Sequence, residues 1–205
     1  MSFLYFFYGF LCQWVLALIT SAFSTSGLVG SWIDSIPMLI AYVLFYIGFQ
    51  KLEPIQPLFV KGKISALILF VLSLISMFIP ASTTALSQPW WGTLLTLIVI
   101  IPETYMIYYL CTGIGEIADK QYQSNLQETA KKRWRLFIYC QVTIVLALLS
   151  GLLANTTDPT TWTFVSGIFS VIYVILNLVV YILMLTLVWR AHKQLELPTE
   201  QKHHH

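Results

Sequence analysis

The chain has 205 residues, of which 58% are hydrophobic and only 10% are charged, and its net charge is +2. Its mean hydropathy is +0.76. A soluble domain carries about 25% charged residues, so this composition excludes an ordinary water-soluble protein and indicates that lipid covers most of the surface. With so few charges, no nucleic-acid partner is expected.

Six apolar segments follow one another along the chain, each close to the about 20 residues that a helix needs to cross about 30 Å of hydrocarbon. They predict an all-α membrane protein, a six-transmembrane-helix bundle that forms a single domain over residues 1–202. The predicted spans are residues 3–22, 32–50, 64–82, 90–112, 134–153 and 162–189. Residues 203–205 are three histidines, interpreted as the remnant of a purification tag and excluded from any metal argument.

The basic residues all fall on one side of this six-span arrangement. The eleven Lys and Arg residues lie in the segments 51–63, 120–135 and 190–202, and the other three connections contain none. Cytoplasmic loops hold basic residues because moving them across a membrane is costly. The pattern therefore predicts a plasma (cytoplasmic) membrane protein with both the N-terminus and the C-terminus inside.

The tryptophans mark the same boundaries independently, because an indole ring with one polar N–H is most favourable at the membrane interface. Four of them lie at predicted outer edges and two at predicted inner edges. The outer group is Trp32, Trp90, Trp91 and Trp162, and the inner group is Trp134 and Trp189.

The connection between spans four and five is the largest predicted cytoplasmic element. A spacing of four residues recurs from Ala118 to Trp134, which predicts helix running out of the membrane and back, interrupted at Ser124 and Asn125. A basic run then meets the inner leaflet, where it is expected to contact anionic lipid or, alternatively, a membrane-protein partner. These contact residues are Lys131, Lys132, Arg133 and Arg135.

Glu103 is the most informative single residue. It follows Pro102 and lies 13 residues after Trp90, which at about 1.5 Å rise per residue places it near the bilayer midplane. A carboxylate there costs about 3 kcal/mol on insertion scales. No Lys, Arg or His lies at its depth, so we expect a neutral, protonated acid that faces protein or a cavity. Pro102 has no N–H to donate to the carbonyl of residue 98 and can bend the span at this point.

Other polar side chains reach a similar depth in different spans. They are Gln13, Gln141, Asn177 and Tyr105. Together with Glu103 they predict a midplane pocket that binds a ligand or a proton. The alternative is that the amides act only as hydrogen-bonding contacts between helices, each worth about 0.6 kcal/mol; this structural interpretation is favoured for the amides and the functional one for Glu103.

Span one is unusually aromatic, with rings at Phe3, Phe6 and Phe10 among others. The favoured interpretation is a stripe facing lipid in the inner leaflet. A flat aromatic wall for a hydrophobic ligand is the alternative, because small-molecule sites are mostly apolar.

Three functions remain open. The first is binding or transport of a small, hydrophobic or weakly polar ligand in the midplane pocket. The second is a non-enzymatic accessory or regulatory role through the basic cytoplasmic hairpin. The third, an intramembrane enzyme with Glu103 as general acid or base, is the least favoured, because no second catalytic group and no HExxH, GxSxG, Walker or Cys/His metal motif is present. No catalytic residue, cofactor or metal is predicted.

One hairpin carries a resemblance to known proteins. Ile36-Pro37, then Ala41-Tyr42-Val43-Leu44, then the stretch from Ile47 to Leu52, resemble a pattern in small uncharacterised multi-span membrane proteins of Gram-positive bacteria. The resemblance implies a bacterial cytoplasmic membrane.

Overall fold

The structure is a computed structural model, and it describes residues 2–16, 28–78, 90–154 and 159–195. Within these ranges the chain forms six helices and no strand. The first, α1, is Ser2–Leu11 and continues as a π-helical segment, Cys12–Leu16. The others are α2 (Leu28–Leu52), α3 (Leu58–Ser76), α4 (Trp90–Lys120), α5 (Ser124–Ala154) and α6 (Pro159–Gln194).

Five of these helices, α2 to α6, are long and apolar enough to cross a membrane, which is the pattern of an integral, multi-pass membrane protein. The first predicted span is described only as far as Leu16, and its remainder lies outside the described residues. The all-α class is therefore confirmed, and five of the six expected spans are helices long and apolar enough to cross a membrane.

The helices form a closed ring. Each helix packs against its neighbours along the chain, and the ring closes where α1 packs against α6. Phe7 of α1 contacts Trp189 of α6 at a ring-centroid distance of 5.5 Å, and Phe10 contacts Tyr181 at 6.0 Å. Short connections between antiparallel neighbours favour this arrangement, which leaves one common interior for all six helices.

A seam of glycines and phenylalanines holds α1 to α4 together; we call it the Gly–Phe seam. Each phenylalanine ring lies where a Cβ of the facing glycine would be, so only glycine leaves room for it. The four pairs are Phe6 with Gly48, Phe45 with Gly9, Phe49 with Gly62, and Phe59 with Gly113. All four rings are fully buried. Small residues that let helices approach closely are a principal source of association in lipid.

The expectation that the aromatic stripe of α1 faces lipid is therefore wrong. Phe3, Phe6 and Phe10 are at most 2% exposed, and Phe6 packs edge-on against Phe49 at 4.7 Å. The spacing of 3 and 4 residues places the three rings on one helix face, and Gly48 of α2 leaves room for the Phe6 ring of that face.

Helices α4 and α5 extend well beyond their predicted spans. Helix α4 continues to Lys120 and α5 begins at Ser124, which confirms the predicted helix on both sides of this connection. The turn between them is a Schellman motif: Gln123 donates to the Ala118 carbonyl at 2.8 Å, Tyr122 donates to the Asp119 carbonyl at 3.1 Å, and Tyr122 has a φ of 58°. Helix α3 begins at Leu58, so Lys61 and Lys63 lie on its first turns rather than in a loop.

The described Lys and Arg side chains gather at one end of the ring, which we call the basic end. Contacts across helices join this end together: Lys51 donates to the Tyr5 hydroxyl at 2.7 Å, and Lys120 donates to the side-chain amide oxygen of Gln56 at 2.9 Å. Gln56 is buried and also donates to the Glu116 carboxylate. The one-sided charge pattern of the sequence thus becomes one face of the folded bundle.

Candidate functional site

The candidate site is a polar cluster in the interior of the ring, built from α1, α4, α5 and α6. Its centre is Glu103 of α4, whose carboxyl group hydrogen-bonds to the Gln141 side chain of α5. Gln141 is itself 8% exposed. Two residues that the sequence placed at similar depth on different spans are therefore brought into direct contact, and each provides a polar partner that lipid cannot supply.

Gln13 completes the cluster on the α1 side. It lines a small enclosed cavity with Glu103, Phe10 and Tyr181, and it is only 4% exposed. The volume of this cavity is about 10 Å³, which is close to the minimum that a single water molecule requires. The acid thus borders a space with room for about one water.

Asn177 of α6 contacts Cys140, the residue that precedes Gln141 on α5. The side-chain amide oxygen of Asn177 is 4.0 Å from the Cys140 sulfur, and Cys140 is buried. Thr143, which also lies in the inner half of this span, instead donates to the Tyr139 carbonyl of its own helix at 2.8 Å. Asn177 is therefore at the edge of the cluster, whereas the Thr143 hydroxyl is satisfied without it.

Tyr105 lies apart from the cluster. Its side chain is 53% exposed and stacks on Tyr109 at 6.1 Å, because a residue two positions after Glu103 on a helix points to a different side. Tyr42 and Tyr181 lie close enough to Glu103 to interact with it electrostatically, and both are buried. The sequence reasoning missed these two as site residues, although their mid-span positions were a usable signal.

A groove on the outer face of α5 reaches the cluster from the side. Its volume is about 210 Å³, and it is lined by Ile138, Gln141, Val142, Val145 and Leu146. Val142 and Leu146 are exposed. Gln141 therefore lines this groove and also binds Glu103, so it connects the enclosed polar cluster with a surface open to the surrounding lipid.

The basic run does not present all its residues outward as expected. Lys131, Lys132 and Arg135 are exposed, and Lys132 pairs with Glu128 at 2.8 Å. Arg133, by contrast, is only 7% exposed, so its side chain faces inward while the rest of the run faces outward. The signal for this was present: Arg133 continues the 4–3 spacing of Leu126, Ala130, Phe137 and Cys140, all buried on one face of α5.

No group of three or more His, Cys, Asp or Glu side chains that could hold a metal ion is found among the described residues. The three cysteines, Cys12, Cys111 and Cys140, carry free thiols. Comparison with known proteins finds no matching family model, no matching curated protein and no matching solved structure.

Proposed function

We propose that this chain is a six-span protein of the plasma membrane, with both termini in the cytoplasm, that binds or transports a small ligand of hydrophobic or weakly polar character. The observation that carries the proposal is the contact between Glu103 and Gln141, together with the position of Gln141 in the open α5 groove. A polar pair at membrane depth that can be reached from the lipid is a plausible chemical basis for recognising such a molecule.

The small cavity beside Glu103 and the α5 groove differ in volume, and we assign them different roles. The enclosed cavity at about 10 Å³ is too small for an organic ligand, whereas the groove at about 210 Å³ can receive part of one. A ligand with one polar group would lie along Val142 and Leu146. Its polar group would replace one hydrogen-bond partner of the Gln141 side-chain amide. Glu103 holds the other side of that amide and orients it, since an amide must satisfy both its donors and its acceptor.

The test is native mass spectrometry of the gently solubilised protein, with wild type beside Glu103→Gln and Glu103→Ala. A small molecule retained by wild type and lost from both variants is the expected result. The matched control is Thr143→Val, because the Thr143 hydroxyl bonds its own helix and its loss is expected to leave the bound molecule in place. Retention of the same molecule at wild-type level in both Glu103 variants would contradict the proposal.

A second candidate function, an accessory or regulatory subunit, is favoured by a separate observation at the basic end. The α4–α5 hairpin presents Lys131, Lys132 and Arg135 to solvent, and Tyr122 at its tip is 97% exposed. Aromatic side chains and arginine are enriched in contacts with partners, and the lysines add positive charge that attracts an acidic surface. Charge reversal at Lys131, Lys132 and Arg135 is expected to abolish co-purification of a membrane-protein partner, while Glu103→Gln leaves it intact; unchanged association in the charge-reversed variant would argue against this role.

A further inference from the structure

Arg133 is a buried cation for which the described structure provides no counter-charge. Only 7% of the residue is exposed, and its Nη1 nitrogen is buried without a hydrogen-bond partner. It lies on the inward face of α5, between Ala130 and Phe137, which are both buried. A guanidinium in such a place is costly unless an anion accompanies it.

The groups around Arg133 do not neutralise it. Among the described residues, Arg190 of α6 is near enough to repel it, and the only other ionisable group near enough to interact with it is the neutral Cys111 thiol of α4. The two carboxylates closest along these helices are already engaged, since Glu116 accepts from Gln56 and Glu128 pairs with Lys132. Two arginines from adjacent helices thus approach each other with no acidic partner among the described residues.

An anion between the two arginines would both offset their repulsion and give the buried Nη1 nitrogen of Arg133 a hydrogen-bond partner. The planar guanidinium fork matches the oxygens of a phosphate group, and two arginines can surround one phosphate. Arg190 is exposed, which opens the space from the basic end. Trp134 and Trp189 lie next to the two arginines in sequence, and tryptophans mark the depth of lipid headgroups.

We infer that Arg133 and Arg190 form a binding site for a phosphate group, between α4, α5 and α6 at the basic end of the ring. This site is separate from the Glu103 cluster, which lies further along the same helices. The phosphate can belong to the headgroup of an anionic lipid or to a free phosphate compound. Basic pockets between membrane helices are a recognised means of holding lipid headgroups, and the exposed Lys131 and Lys132 would draw anions to the opening.

The experiment measures the melting temperature of the full chain in a maltoside detergent with three added probes: short-chain phosphatidylglycerol, short-chain phosphatidylcholine and inorganic phosphate. Wild type is compared with Arg133→Gln, Arg190→Gln and the matched control Arg135→Gln, which removes an exposed arginine two residues away on the same helix. Phosphatidylglycerol is expected to raise the melting temperature of wild type and Arg135→Gln by several degrees. The rise should be lost in the other two variants, with apparent affinity falling by about tenfold or more.

The other outcomes either identify the source of the phosphate group or overturn the inference. A rise with inorganic phosphate that equals the rise with phosphatidylglycerol, and shows the same dependence on Arg133 and Arg190, supports the site with a free phosphate compound as its ligand. An equal rise in all variants, or no rise in wild type with any probe, overturns it. If Arg133→Gln fails to fold, Arg190→Gln and Arg133→Lys decide, because both keep a positive charge at the site while weakening the two-arginine geometry.

Discussion

The two halves of the ring are held together by different physical means. Helices α1 to α3, with the facing side of α4, use the Gly–Phe seam, in which Phe49 fills the space over Gly62 and Phe59 fills the space over Gly113. Helices α4 to α6 add interior polar contacts to their apolar packing, with Glu103 bound to Gln141 and Ser166 donating to the Ala147 carbonyl at 3.0 Å.

The difference shows how helices can associate in a solvent as apolar as their own side chains. Lipid removes most of the hydrophobic driving force between helices, so association needs close van der Waals packing or hydrogen bonds. The Gly–Phe seam supplies the first. Helices α4 to α6 supply the second and carry Glu103, Gln141 and the two arginines, so this is the half in which binding can compete with helix–helix contacts.

The largest expected effect tests the seam. Gly113→Ala places a methyl group against the buried Phe59 ring, and overpacking of this kind is expected to lower the free energy of unfolding by about 1–3 kcal/mol. The measurement is an SDS titration of the protein in bicelles. The control is Gly167→Ala, which meets nothing within 4 Å and is expected to be neutral or slightly stabilising. Equal effects at the two glycines would break the comparison between the halves.

An intermediate effect tests the polar half. A double-mutant cycle of Glu103→Ala with Gln141→Ala is expected to give a coupling energy of about 0.6 kcal/mol, and at most about 1.7 kcal/mol, as for other hydrogen bonds between membrane helices. The same unfolding titration measures it. Glu103→Ala combined with Thr143→Val serves as control and should be additive within about 0.5 kcal/mol. Coupling as large as the loss at Gly113 would mean that the two halves are equally tightly held.

The smallest expected effect tests the hydrogen bond between α5 and α6, and it sharpens the comparison between the two halves. Ser166→Ala removes the hydroxyl that links α6 to the Ala147 carbonyl, but that carbonyl also accepts from Ser150 at 3.0 Å. The loss is therefore expected to stay below about 0.6 kcal/mol. Thr186→Ala is the control on the same helix, because its hydroxyl donates only to Leu183 of α6 at 2.9 Å. A loss that exceeds the loss in the control by more than about 1 kcal/mol would show that the α5–α6 contact is a principal stabilising feature.

The helices could be read from the sequence because their causes are local. Long apolar runs predicted α2 to α6, and the four-residue spacing through Leu126 predicted helix beyond the membrane. Their ends were harder to place, since a helix such as α3, which begins at Leu58, continues past the lipid boundary wherever neighbouring helices support it.

The candidate site was predicted in part for a similar reason. Depth along a span follows from counting residues, so Glu103, Gln13 and Gln141 could be placed at one level. Rotation about the helix axis depends on the neighbours, and this separated Tyr105 from the cluster and turned Arg133 inward. The 4–3 spacing on α5 indicates the inward position of Arg133. The neighbouring basic residues gave the stronger but misleading indication of an exposed surface.

The sequence by itself determined the class of protein, the helices that can cross a membrane and the end at which positive charge collects, because composition and hydropathy act through the solvent alone. Only the tertiary structure decided which side chains meet. It paired Glu103 with Gln141, seated phenylalanines over glycines and brought Arg133 near Arg190. These contacts join residues far apart in the chain, and they depend on how the helices are rotated and ordered around the ring.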